Sequence, residues 1–294
     1  PAGDGADVDV DHLALQDVTI ERGVFVDAAD LIDLGGNRGF GAPPPACGDA
    51  PAFVGDVVLA TDDDVAAFEA SGIECVDGDV VFGRDVVDAV LTHLTRVTGR
   101  ISIRDGLVQQ IALTALTDAG AIDIAGNAGL VGVVLPVLDS VTDDVFIGDN
   151  DALVELSLPA LTGVGGDLEI NGNDALEDVS APVVASVGGD LVVDGNDALA
   201  AVSFTVLAIV DGDVVAIDND VLLAILLEAL AEVGGSVVIS GNDALADVDL
   251  DAVASIGGDL IITDNDEAAT SPQLGSLQSV GGDLDVDVAP DFPD

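Results

Sequence analysis

Residues 165–187 read GGDLEINGNDALEDVSAPVVASV, and variants of this segment recur along most of the chain. Copies begin at Gly165, Gly188, Asp211, Gly234 and Gly257, a step of 23 residues each time; the last, at Gly281, comes one residue late. Weaker copies upstream begin at Thr142, Ala119, Thr98, Asp77 and Val54. A repeat of this length cannot bury its apolar side alone. It does so by stacking on its neighbours, which makes a fixed period of this kind the signature of a solenoid.

Within the unit, Leu168 and Ile170 alternate with Asp167 and Glu169, the period of two expected of a half-buried strand. The glycine pair marks a tight corner before it, Asn171-Gly172 a turn, and Asn173 the next corner. Leu176, Val179, Ala181, Val184 and Val187 return apolar groups to the interior, and pairs such as Leu191/Val193, Val237/Ile239 and Leu260/Ile262 stack in the same places. With rungs about 4.8 Å apart, the stack spans roughly 50 Å. The fold predicted is an all-β solenoid of about eleven coils with a period of 21–24 residues, over residues 47–286. Residues 1–46 form an irregular arm or cap, with strand-like patterning in 13–34 and a Gly/Pro-rich linker from Gly35 to Pro45. Residues 287–294 form a C-terminal tail.

Thr61 to Ser71 is the helix candidate. Thr61 and Asp64 have capping-box spacing, Asp62 and Asp63 favour the positive end of the dipole, and Gly72 suits the terminus. Val65 and Phe68 then pack on the first coil as an N-terminal plug.

Two polar columns accompany the apolar ones. Asn127, Asn150, Asn173, Asn196, Asn219, Asn242 and Asn265 recur once per rung, where an Asn side chain satisfies turn backbone and bonds to the copies on either side. This points to a structural ladder. Asp144, Asp167, Asp190, Asp213 and Asp259, interrupted by Ser236, recur at an outward strand position, and Asp151, Asp174, Asp197, Asp220, Asp243 and Asp266 flank the Asn column. Stacked carboxylates repel. They are tolerated if hydrated in salt, or useful if divalent ions sit between them, so the first column is the candidate calcium or mineral face. Its spacing is neither that of an EF-hand loop nor that of a nonapeptide β-roll.

The formal charge is −50, with six Arg and no Lys. Acidity of this degree raises the question of disorder, but 49% of the residues are hydrophobic and periodic, which supports a core. Self-repulsion destabilises such a chain at low salt, so a saline habitat is expected, with calcium as the other route to neutralisation. A surface of this sign argues against nucleic acid and anionic membranes as partners. No signal peptide or membrane-spanning run is visible. Pro1 is not an initiator, so the chain is expected to start after a removed leader or at an artificial boundary. Cys47 and Cys75 are either free thiols or a single disulfide closing the N-terminal end; the disulfide, which requires an oxidising exterior, is preferred. His12 and His93 have no Ser–His–Asp or Cys–His setting, the carboxylate columns are too uniform to single out a glycosidase pair, and there is no Tyr or Trp to stack on sugars. The chain is therefore expected not to be an enzyme and to need no cofactor beyond calcium, if that.

Cys47, the helix candidate, IECVDGDVVF at 73–82 and above all LSLPALTGVGGDLEINGN at 156–173 together resemble the receptor L-domain family, found in insulin and epidermal growth factor receptors and in fungal and bacterial surface proteins. The resemblance spans about residues 47–286. It implies a right-handed, leucine-rich β-solenoid with an N-terminal helical cap and Cys47 paired with Cys75. It also implies a non-catalytic, extracellular or cell-surface role. The partner would be a protein or a cell-wall component, in adhesion, recognition or scaffolding. A second copy of the chain, in a filament, sheath or layer, is the alternative partner.

Overall fold

The computed structural model describes residues 47–48, 50–265 and 272–287. The arm at 1–46, His12, Asp266 and the tail beyond Asp287 lie outside these residues. The chain winds into a parallel β-solenoid. Among the described residues one sheet holds twenty strands in eleven tiers, from Ala52–Val54 and Val57–Leu59 at one end to Ser279–Val280 and Leu284–Val286 at the other. A second sheet of eight strands, Asp88–Leu91 to Asp247–Asp249, forms another side of the coil.

Register follows the repeat. Leu168 pairs with Leu191, Leu191 with Val214, Val214 with Val237 and Val237 with Leu260, each 23 residues on. Leu260 pairs with Leu284, the extra residue falling between Asn265 and Gln273. All seven interior positions read from the unit at 165–187 are buried, Leu168, Ile170, Leu176, Val184 and Val187 completely. The core is continuous along the stack. Each such Leu or Val contributes about 1.5–3 kcal/mol on burial, and a one-residue slip would turn a rung's whole set outward.

The early register departs from the expected one at a single place. Val141 pairs with Ala119, so Thr142 stacks over Gly120, and the copy placed at Ala119 is one residue out. The cause lies in the strand Asp118–Ala125, which has one residue fewer between Ala119 and Ile122 than either neighbour: Val97 and Ile101 face these two residues on one side, Val141 and Val145 on the other.

The helix is Asp62–Ser71, capped at Thr61 by a capping box with Asp64 and ended by Gly72 in the left-handed conformation, φ 69°. Val65 and Phe68 are buried. The helix takes the place a strand would hold beside Asp88–Leu91, and its carboxylates do the pairing. Asp62 Oδ1 accepts from the backbone N–H groups of Val87 (2.7 Å) and Asp88, and Glu69 Oε2 from that of Thr92 (2.9 Å). An otherwise open sheet edge is thus covered. Cys47 and Cys75 form a disulfide, Cα–Cα 5.7 Å, anchoring residue 47 to the strand Cys75–Asp77.

Candidate functional site

The seven asparagines line up one per rung at the corner after each long-sheet strand. Asn127, Asn150, Asn173, Asn196, Asn219 and Asn242 are fully buried; Asn265 is half-buried. Their bonds repeat. Asn173 donates from its amide to Ile147 O and Asn171 O, both at 3.0 Å, while its Oδ1 accepts from the backbone N–H of Asn150 at 3.2 Å. At the N-terminal end the series stops where Gly106, which has no side chain, donates its N–H to Asn127 Oδ1. Every buried amide therefore satisfies backbone groups of the rung before, and all but Asn150 also a carbonyl of their own rung, which a buried polar group requires.

The column Asp144, Asp167, Asp190, Asp213 and Asp259 is half-buried and bonded in the opposite sense. Asp144 Oδ1 accepts from Asp167 N–H at 3.1 Å, Asp167 from Asp190 and Asp190 from Asp213 at 2.7 Å, and Asp213 from Ser236 at 2.6 Å. Ser236 Oγ accepts from Asp259 N–H at 3.0 Å, and Asp259 from Asp283 at 2.7 Å. The serine that interrupts the column in sequence performs the same task in space. The position calls for a short side-chain acceptor, and charge is incidental to it. The preceding glycine belongs to this joint: a Cβ at Gly189 or Gly212 would overlap Oδ1 of the aspartate one rung back. Neighbouring carboxylates one rung apart repel by about 1 kcal/mol in water. A hydrogen bond to a charged acceptor returns about 1.5–3 kcal/mol; for half-buried carboxylates the repulsion rises to about 3–4 kcal/mol, so screening by salt decides the balance.

Two members of this column escaped the sequence reading. Asp56 Oδ1 accepts from Asp79 N–H and Asp79 Oδ1 from Arg100 N–H, at 3.1 and 2.9 Å. A further column was also missed. Asp105, Gly126, Asp149, Gly172, Gly195, Asp218, Gly241 and Asp264 all have left-handed φ, and no two aspartates are consecutive. Oδ1 of Asp105, Asp149 and Asp218 lies over the glycine of the next rung, where a Cβ would crowd it. Asp151, Asp174, Asp197, Asp220 and Asp243 are exposed.

As a metal face, the candidate column offers each ion fewer oxygens than its composition suggests, because one oxygen per aspartate is directed at backbone. No group of three or more His, Cys, Asp or Glu is set to hold a metal ion among the described residues. The electrostatic load shows on its neighbours. Burial, then the carboxylates of Asp167, Asp144 and Asp190, push Glu169 above the usual carboxylate range, and burial with Asp218 does the same to Asp194. Glu69 moves the other way. Burial raises it, but hydrogen bonds from Thr92 and His93 outweigh that and lower it. His93 sits at 2.6 Å from Glu69 through Nδ1, at the junction of helix and sheet.

The outward face of the long sheet carries an aliphatic strip: Val192, Val215, Val238 and Ile261 stand in register and half-buried. No helix among the described residues is long and apolar enough to cross a membrane. Comparison of the chain with family models, with curated proteins and with solved structures finds no match.

Proposed function

We infer that this chain is a non-catalytic scaffold displayed outside the cell, on a surface or in a wall, in a saline environment, where it acts in adhesion or recognition in the manner of receptor L-domains. The observation that carries this reading is the use made of the repeated polar residues. The buried Asn column and the Asp144–Asp259 column are both spent on backbone hydrogen bonds between rungs. What such an arrangement provides is a long, stiff body with regular faces, and the strip Val192–Val215–Val238–Ile261 is a flat surface fit for contact. The disulfide fits an oxidising exterior, and the −50 charge fits salt. Far-ultraviolet circular dichroism across a sodium chloride series, with surface labelling of source cells, tests both halves. Full β structure at low salt, or an intracellular location, overturns the reading.

A second reading, self-assembly, is favoured by the last rung. Leu274, Leu277, Val280 and Val286 are only partly buried and Leu284 is 63% exposed, although the equivalent Leu250, Val253, Ile256, Leu260 and Ile262 are buried. A core end and strand edge that no described residue covers invite another chain. Sedimentation over a concentration series distinguishes the two: polymers that grow with concentration support assembly, and a monomer throughout supports display.

A further inference from the structure

The two ends of the stack are finished differently. At the first rungs Phe53 and Leu59 are nearly fully buried, the helix Asp62–Ser71 lies across the short-sheet edge, and Cys47–Cys75 ties the chain down. These covers do not depend on salt. At the last rung Leu284 is exposed, Leu274, Leu277, Val280 and Val286 are only partly buried, and no further rung follows among the described residues. What guards this end is charge. Asp283, Asp285 and Asp287 alternate with Leu284 and Val286, and all three are exposed. Asp285 stands in register with Ile261, next in the outward column after Val192, Val215 and Val238, so an aspartate takes over where four rungs carry an aliphatic side chain. Asp259 Oδ1 accepts the N–H of Asp283, whereas Asp283, the last of its column, has no rung after it to bond among the described residues.

Inside the stack each rung is covered by a rung of the same pattern, Leu260 by Leu284 for example. The surface of this chain that repeats the pattern, and that no described residue covers, is the last rung itself. The partner that fits it is therefore the same end of a second copy. We propose that the last rung is a salt-gated docking surface through which two copies pair end to end about a two-fold axis. The proposal rests on the self-assembly reading and narrows it, because a joint of this symmetry closes at two. With the axis at Asp285, the strands Leu284–Val286 run antiparallel across the joint. Leu284 then faces the partner's Val286 on the core side, and Asp285 faces the partner's Asp285 on the outer side. Asp283 faces the partner's Asp287, and Asp287 the partner's Asp283, which makes three pairs of like charge. At about 5 Å in water each pair weakens association roughly three- to fourfold. The Debye length falls from about 10 Å at 0.1 M salt to about 3 Å at 1 M. Concentrated salt thus removes most of the repulsion and leaves the apolar contact. Edge charges of this kind hold strand edges apart; here the same device is a switch set by ionic strength.

Sedimentation equilibrium of the full chain at 0.1 M and 2 M sodium chloride tests this. The expected result is a dimer at 2 M, with a dissociation constant about ten- to a hundredfold lower than at 0.1 M. Leu284→Glu abolishes pairing at both salt concentrations, while Leu223→Glu, the same change at an exposed leucine on the side of the body, leaves it intact. Asp285→Val continues the aliphatic column and allows pairing at 0.1 M. Asp285→Cys places two thiols at the axis, so a disulfide between copies forms in 2 M salt, Cys47 and Cys75 being already paired. A monomer at every salt concentration overturns the proposal together with the self-assembly reading. Polymers that grow beyond two overturn the end-to-end joint and leave self-assembly standing. Dimerisation that weakens with salt, or that Leu223→Glu and Leu284→Glu reduce alike, also overturns it. If a variant fails to fold, the salt series on the unaltered chain still decides.

Discussion

Asp190 Oδ1 accepts the backbone N–H of Asp213, one rung further on, at 2.7 Å. The bond turns an apparently solvated aspartate into a joint between rungs, and it separates two properties of the residue, its acceptor atom and its charge.

Substitution tests that separation. Asp190→Ser should leave stability within about 1 kcal/mol at high salt, since Ser236 already fills the same role. Asp190→Ala should cost about 1–3 kcal/mol by stranding the Asp213 N–H. Asp190→Asn keeps an acceptor and removes a charge, so it should stabilise at low salt, with the gain fading as salt rises. Urea midpoints at two salt concentrations measure all three. If Ala and Ser behave alike, the joint contributes nothing.

The Asn ladder should be less forgiving. Asn196→Ala removes amide donors to Ile170 O (2.9 Å) and Asp194 O and the acceptor for Asn173 N–H (3.1 Å), all in a fully buried site. A loss of about 2–4 kcal/mol is expected. Asn265→Ala, at the half-buried end of the series, should cost less than half as much. Equal effects at the two positions would show that burial does not set the cost.

Acid should act in two directions. Glu169 has its folded pKa raised, so the native state holds its proton more tightly than the unfolded chain does. Its contribution is most favourable below the unfolded value, 4.5, and is lost as pH rises through the raised one. Glu169→Gln should therefore be more stable than the parent at neutral pH and low salt, with the gap closing in acid. Glu69, whose folded pKa is lowered, stabilises above 4.5, and that share is lost as pH falls through the lowered value. Glu69→Gln should destabilise at neutral pH and lose its effect in acid. Thermal melts from pH 3 to 8, a range spanning ordinary carboxylate titration, read both signs.

Calcium and sodium should stabilise alike at equal ionic strength, because the aspartate columns are tied to backbone through one oxygen each. Paired melting curves in the two chlorides check this. A saturable excess with calcium, reduced by Ala at Asp167, Asp190 and Asp213, would restore the column as a metal face.

Reduction of Cys47–Cys75, which spans 28 residues, should lower stability by about 3–4 kcal/mol on chain-entropy grounds. Unfolding midpoints with and without reductant measure it. The change should be concentrated in the first rungs, where hydrogen exchange should quicken.

The rung was legible because burial repeats it. Leu176 means little alone, but Leu153, Leu176, Leu199, Leu222 and Leu245 in register permit one inward face, and all are fully buried. The helix was legible because its signals are local, from Thr61 to Gly72. Contacts between rungs were harder. Alternation reads Asp167 as solvent-facing, and only the serine at 236 hinted that acceptor ability mattered more than charge. Asp62 and Glu69 reach residues more than twenty positions away, across a helix–sheet junction that no periodicity encodes. The meeting of Arg100 and Arg104 at Asp123 lies on the strand that is one residue short between Ala119 and Ile122, the shortfall that also misplaced the copy at Ala119. The run Arg96, Arg100, Arg104 was its visible trace.

The two ladders point opposite ways: each Asn oxygen receives from the rung before it, each Asp oxygen from the rung after. The rungs from Asp167 to Ser236 consequently present the same pair of fittings to both neighbours. Excising or duplicating one 23-residue unit, from Gly188 to Val210 for example, creates no new kind of joint. Length is then a quantity the gene can change in whole steps, by unequal recombination between like segments, and the reach of the molecule can drift while its cross-section stays fixed.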